Sequence, residues 1–214
     1  MKKNKLLFLS VILNIIMLFI FFWYAITHRE EIVQKIVNIR DSATVIMFGD
    51  SHTANGKWSV LLSRFDVLRV GYGGFTSDQL KNILIKKVLN HKAKICFIQC
   101  SGNDISSTYF SRIDIKKNFV EIIDSLKSHN ITPVVQSLFY RYNNPEYNMV
   151  VDSLNNLLYH LAAIKNIDYL DINKNISDNK ELRKELTTDN IHLNKEGYRI
   201  WSDEVKKYLS NKGI

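Results

Sequence analysis

Five short apolar runs, separated by longer stretches of helical periodicity, constrain the fold of this 214-residue chain more than any other feature. They are Ala43–Phe48, Asp66–Val70, Ala93–Gln99, Ile131–Leu138 and Ile167–Ile172. Short continuous runs rich in β-branched and aromatic side chains read as strands buried on both faces, the kind found in parallel sheets. Between them, apolar residues recur at helical spacing: Leu80, Ile83, Leu84 and Val88, then Leu154, Leu157, Leu158 and Leu161, and last Ile200, Trp201, Val205 and Leu209. Alternating strands and helices predict a three-layer α/β/α domain, with a five-stranded parallel sheet covered on both faces. Right-handed crossovers make 2-1-3-4-5 the simplest strand order. The tips of the first three strands then lie side by side, at the carboxyl edge where open sheets bind ligands.

Ahead of this domain, Leu6 to Ile26 is nearly uncharged. About 20 apolar residues cross a bilayer core. A secretory signal also begins with basic residues, but its apolar region is about 7 to 15 residues long and ends at a small-residue cleavage site. Here the run exits through Phe21-Phe22-Trp23-Tyr24, which suits a membrane interface. We therefore expect an uncleaved transmembrane anchor over residues 1–28. Lys2, Lys3 and Lys5 favour a cytoplasmic N-terminus and an outward-facing remainder, although Arg29, Lys35 and Arg40 pull the other way. Ile32, Val33, Ile36 and Val37 at helical spacing predict a helical stalk over 29–42, leaving residues 43–214 as one domain.

The formal charge of +8 falls to +5 without the three leading lysines. That excess is spread out and forms no dense basic run, which argues against a nucleic-acid partner and fits mild attraction to anionic lipid or glycan. Cys96 and Cys100, the two cysteines, fall on one predicted strand. Four residues of strand span about 13 Å, beyond the roughly 7 Å that a disulfide allows between Cα atoms, so both read as buried thiols.

The chemistry-bearing residues cluster at strand tips. The first strand stops at Gly49-Asp50-Ser51, which alone is equally a turn or a nucleophile placed at the crevice. The second ends at Gly71-Tyr72-Gly73-Gly74, just before a helix opened by a Thr76/Gln79 capping box. Free N–H groups near that helix start favour negative charge, so Gly74 is a candidate oxyanion donor or simply a glycine that permits the turn. The third is followed by Ser101-Gly102-Asn103-Asp104, where Asn103 either caps a turn or aims its amide at the crevice. The stretch Tyr140 to Asn148 is expected to be a pocket-lining loop, and residues 173–187 a polar surface wrap. Asp189 lies three residues before His192, close enough to orient its imidazole, and Asn194 is a fair cap for the last helix. His28, His91, His129 and His160 have no such company; His52 adjoins Ser51.

Together these four stretches resemble the blocks of the SGNH hydrolases, or GDSL esterases and lipases. Gly49-Asp50-Ser51 matches the first, Gly71-x-x-Gly74 the second, Ser101-Gly102-Asn103-Asp104 the third and Asp189-Asn190-Ile191-His192 the fourth. Ser101 replaces a usual Gly, and His52 stands where the name-giving Leu would be. The Gly-x-Ser-x-Gly elbow of α/β-hydrolases is absent. The resemblance implies the flavodoxin-like SGNH fold and a catalytic Ser51–His192–Asp189 relay. It implies an oxyanion hole from Ser51, Gly74 and Asn103, with no metal and no cofactor. It further implies an esterase acting through an acyl-enzyme, and the tether suggests cell-envelope substrates such as O-acetylated glycans or lipids. An O-acyltransferase using the same residues, and a non-catalytic envelope-binding module, are the alternatives. Asp50 and Asp104 are expected to brace loops rather than react.

Overall fold

A computed structural model describes residues 2–107 and 111–214, with side chains from Leu7 onward, so Lys2, Lys3 and Lys5 lie outside the described side chains. In chain order it comprises α1 (Lys2–Thr27), α2 (Arg29–Arg40), β1 (Val45–Gly49), α3 (Ser51–Asn55), α4 (Trp58–Leu61), β2 (Val67–Gly71) and α5 (Ser77–Leu84), which runs on into a π turn. There follow β3 (Ile95–Gln99), α6 (Gly102–Ile105), α7 (Arg112–Ser128), β4 (Thr132–Gln136), α8 (Pro145–Lys165) and β5 (Asp168–Leu170). The chain closes with α9 (Asn173–Ile176), β6 (Ser177–Asp178), β7 (Glu181–Leu182) and α10 (Lys195–Asn211).

The main sheet is parallel throughout, in the order β2-β1-β3-β4-β5. Because successive side chains of a strand face opposite sides, β1 divides its residues between two cores. Ile46 and Phe48 pack with Leu80, Phe119, Ile122 and Leu154 beneath α5, α7 and α8. Val45 and Met47 pack on the opposite face with Phe97, Trp58, Trp201 and Val205 beneath α4 and α10. There the Trp58 and Trp201 rings meet edge to face, 4.6 Å between centroids.

Local signals end and begin the helices. The Thr76/Gln79 capping box forms at the start of α5. Asn194 Oδ1 accepts from the N–H groups of Glu196 and Gly197 at the start of α10. Pro145 takes the first turn of α8 behind the Asn144 cap, so the stretch 140–148, expected to be loop, already contains the start of this helix. The supposed wrap over 173–187 likewise has its own structure, a small β6–β7 hairpin that buries Ile176, Leu182 and Leu186.

The stalk expected over 29–42 is helical but does not stand clear of the domain. Val33 and Val37 are buried in the core under β2. Gln34 treats the outer edge of β2 as a neighbouring strand would: its Nε2 donates to Val67 O (3.0 Å) and its Oε1 accepts from Arg69 N (2.7 Å). An unpaired sheet edge is a liability, and this amide closes part of it. Glu30, 2 % exposed, accepts from both the N–H and the hydroxyl of Ser59. Thus α2 is a working part of the helical layer. Within α1, Leu7–Thr27 is long and apolar enough to cross a membrane, and none of it is buried against the domain.

Candidate active site

Ser51 is the first residue of α3, one step past the buried Asp50 that caps this short helix. The crowding at this tip explains its glycines. A Cβ on Gly49 would lie 1.9 Å from Gln99 O, and one on Gly71 would lie 2.3 Å from Ala54 N, so the absent side chains let α3 sit directly on the strand ends. Two long-range bonds fasten it from the other side: Trp58 Nε1 donates to Thr53 O (2.8 Å) and Tyr198 Oη to His52 O (2.7 Å).

The loop ahead of α10 delivers His192 to the same point. His192 Nε2 lies 3.0 Å from Ser51 Oγ, and Nδ1 lies 2.7 Å from Asp189 Oδ2. Asp189 Oδ1 also accepts from the backbone N–H groups of Ile191 (3.0 Å) and His192 (2.7 Å), so one carboxylate shapes the turn and holds the ring. With Nδ1–H donating to Asp189, Nε2 presents its lone pair to the serine hydroxyl. Partial desolvation opposes ionisation of Asp189, but the three bonds from His192 and Ile191 outweigh it and hold the carboxyl well below the usual carboxylate range.

The loops bearing Gly74 and Asn103 are tied together beside Ser51. Asn103 Nδ2 donates to Phe75 O at 3.0 Å, which fixes the amide and leaves its second N–H without an acceptor among the described residues. Gly74 is exposed, has φ +79°, and its N–H meets no acceptor among the described residues. A Cβ on the adjacent Gly73 would lie 4.0 Å from the Ser51 Cβ, so this loop runs alongside the serine. Beneath them, Asp104 accepts from Ser77 N (2.8 Å) and Ser77 Oγ (2.6 Å), joining α6 to the start of α5.

Asp50 accepts from His52 N (3.1 Å) and is sealed from solvent. Burial pushes its carboxyl up to about 7, against the favourable His52 N–H. Between about pH 4 and pH 7 an unfolded chain has therefore released a proton that folded Asp50 retains, so this residue subtracts stability as pH rises through that window. Asp50→Asn removes the effect. Urea unfolding at pH 4.5 and pH 7.5 is expected to show the variant gaining on wild type with rising pH, by about 3 kcal/mol. A pH-independent difference would contradict the assignment.

Several residues at the site carry no sequence signal of their own. Burial keeps the His52 ring neutral, its pKa pushed down to about 3; the ring sits 5.1 Å from the His192 ring and 5.0 Å from Phe139, centroid to centroid. Arg141 and Tyr147 belong to the stretch assigned generally to the pocket, where Pro145 behind Asn144 would have marked the helix start and left Arg141 near the tip of β4. Away from the site, His91, read as solitary, pairs with Asp41 at 2.8 Å; fifty residues separate them, so nothing local announced the contact.

A family model described as GDSL-like lipase/acylhydrolase matches residues 41–200. The chain is 27% identical over 205 residues to an N-acylneuraminate cytidylyltransferase of Streptococcus agalactiae serotype III, a match covering 87% of this chain and 46% of that protein. The chain thus spans about half the length of that curated relative. It is 22% identical over 207 residues to the isoamyl acetate-hydrolyzing esterase of Saccharomyces cerevisiae, covering 82% of this chain and 86% of the esterase. Among solved structures, an acetylxylan esterase from Geobacillus stearothermophilus superposes with a TM-score of 0.64 at 16% identity, over 81% of this chain and 97% of that one.

Proposed function

Because this chain belongs to the GDSL-like lipase/acylhydrolase family, we propose that it hydrolyses ester bonds and removes acetyl groups from O-acetylated glycans or lipids of the cell envelope, with Ser51 as nucleophile. The observation that carries the reading is the unbroken hydrogen-bonded relay from Ser51 Oγ through His192 to Asp189. A serine hydroxyl attacks an ester poorly at neutral pH unless a base takes its proton during attack. His192 Nε2 is within reach to do so, and Asp189 stabilises the imidazolium that forms.

Attack of Oγ on the carbonyl carbon places negative charge on the carbonyl oxygen. The N–H groups of Ser51 and Gly74 and the free N–H of the Asn103 amide are the donors for it, each worth about 10²–10³ in rate in comparable sites. Collapse expels the alcohol, which takes the proton from His192. Water then attacks the acetyl-serine with His192 again as base, giving acetate and free Ser51. Acetate as the acyl group is supported by the names of two similar proteins, the isoamyl acetate-hydrolyzing esterase and the acetylxylan esterase. The envelope location rests on α1 as an anchor whose exit carries Trp23 and Tyr24, with the domain on the outer side.

The test is acetate release by the full-length chain in detergent. Turnover of p-nitrophenyl acetate together with acetate release from an O-acetylated polysaccharide is the expected result. Acetyl groups moving to a second glycan in place of free acetate would make the enzyme a transferase. Absence of turnover on every ester would return the fold to a binding role.

A further inference from the structure

Resting on the esterase reading above, we propose that Arg141 is a specificity-determining residue that grips an anionic group of the substrate, a carboxylate or a phosphate, beside the ester that Ser51 attacks. The segment Arg141–Tyr142, which follows β4, touches two loops of the site. On one side Arg141 Nη2 reaches Ser106 Oγ (3.5 Å), at the end of the α6 turn that carries Asn103. On the other, the next residue, Tyr142, donates its N–H to Asn190 O (3.0 Å), inside the loop that holds Asp189 and His192.

The backbone at Arg141 is clamped from both directions. Asn148 Oδ1 accepts from Arg141 N (2.7 Å) and Asn148 Nδ2 donates to Arg141 O (2.8 Å). The guanidinium lies over the Tyr147 ring, 3.7 Å from Cζ to the centroid. Tyr147 in turn donates its hydroxyl to Gly102 O (3.3 Å), and a Cβ on Gly102 would fall 3.6 Å from Asp50 Oδ2. The cation is therefore stacked on a ring that rests on the residue preceding Asn103 and close to the residue preceding Ser51.

A guanidinium is always charged and carries five N–H donors, and a buried or half-buried one ordinarily meets a carboxylate. Arg141 is half-buried, its Nε is buried without a hydrogen-bond partner, and no carboxylate pairs with it among the described residues. Two other arginines of this chain fork onto carboxylates, Arg64 onto Asp66 and Arg199 onto Glu196 and Asp203, whereas Arg29, stacked on Phe65 with its Nε also unpartnered, gives its Nη2 to Ser59 O. A second cation, Lys184, lies over the Tyr142 ring (4.7 Å) and bonds Asn190 Oδ1 (2.9 Å), adding positive charge at the loop that carries Asp189 and His192. A stacked, pre-positioned and unpaired guanidinium matches the planar fork of a carboxylate or phosphate.

The experiment compares matched acetate esters that differ only in charge: O-acetylglucuronate against O-acetylglucuronamide, and acetylglycerol phosphate against acetylglycerol. Full-length wild type, Arg141→Gln and Arg141→Lys are assayed on all four. Wild type is expected to prefer at least one anionic member by about tenfold or more in kcat/KM, mostly through KM, and the pair that shows it tells an acidic sugar from a phosphate headgroup. Arg141→Gln is expected to bring that ratio close to one, and Arg141→Lys to keep part of it, since an ammonium supplies charge without the fork. A wild-type ratio near one, or a ratio that survives Arg141→Gln, overturns the proposal while leaving the esterase reading intact. If no ester is turned over, the esterase reading fails by itself, and calorimetric binding of glucuronate and glycerol phosphate, against their neutral counterparts, still decides the role of Arg141. Loss of anion binding in Arg141→Gln supports it, and equal binding of charged and neutral compounds overturns it.

Discussion

Replacing Ser51 with alanine is expected to lower esterase turnover by at least about 10⁴-fold and to abolish covalent labelling by a fluorophosphonate probe. The two readouts separate the parts of the argument. Turnover falls because no hydroxyl remains to form the acyl-enzyme, and what survives is only water attack helped by the oxyanion donors. Labelling vanishes because the phosphorus has nothing to bond. His192→Ala is expected to lose labelling almost as completely although Ser51 is still present, because Ser51 Oγ then faces no base; the 3.0 Å contact to Nε2 is the one that matters. Substitutions in a relay that acts as a unit do not add, so the double variant should be no slower than either single one by more than a few-fold. Labelling of Ser51→Ala at an unchanged rate would place the nucleophile elsewhere. Equal labelling of wild type and His192→Ala would mean that the hydrogen bond does not activate the serine.

Much of this arrangement was legible in the sequence, because its causes are local. The strands announced themselves as apolar runs, and since both faces of a parallel sheet are covered, Val45 to Phe48 had to be continuous rather than alternating. The strand order followed from crossover handedness. Ser51, Asn103 and His192 each sit within a few residues of a glycine, an asparagine cap or a strand end, features that short-range chemistry imposes. The stalk was misjudged for an equally physical reason. Four apolar positions on 29–42 reveal an amphipathic helix but not what its face meets, and the amide of Gln34 sealing the edge of β2 is a contact across more than thirty residues. The stretch 140–148 reads as pocket-lining, but what singles out Arg141 within it is hidden for the same reason. Its proposed role rests on the absence of a carboxylate partner among the described residues, and a missing long-range contact leaves no local trace in a sequence.

Asp189→Asn is expected to reduce kcat by about 10⁴-fold while changing KM little, the size of effect this substitution has in other Ser–His–Asp relays. The reason is the number of bonds one carboxylate makes here. Oδ1 accepts from two backbone N–H groups and Oδ2 from the imidazole, and an asparagine has only one acceptor oxygen. If that oxygen keeps the turn, the amide NH₂ faces Nδ1 and donates to it. The imidazole must then carry its proton on Nε2, aimed at Ser51, and no longer takes the hydroxyl proton. The turn survives, so substrate still binds; the base is in the wrong tautomer, so chemistry fails. Asp189→Ala removes the turn bonds as well and is expected to raise KM in addition to lowering kcat. The pH dependence has a definite sign. The Asp189 carboxyl is held well below the usual carboxylate range, so the stability it contributes is present above about pH 4 and is lost only as pH falls through its lowered pKa. Across pH 5 to 8 it stays ionised, so the loss in Asp189→Asn should persist through that whole range. An Asp189→Asn variant as active as wild type anywhere in the upper part of that range would mean that the imidazole is oriented by something other than this carboxylate.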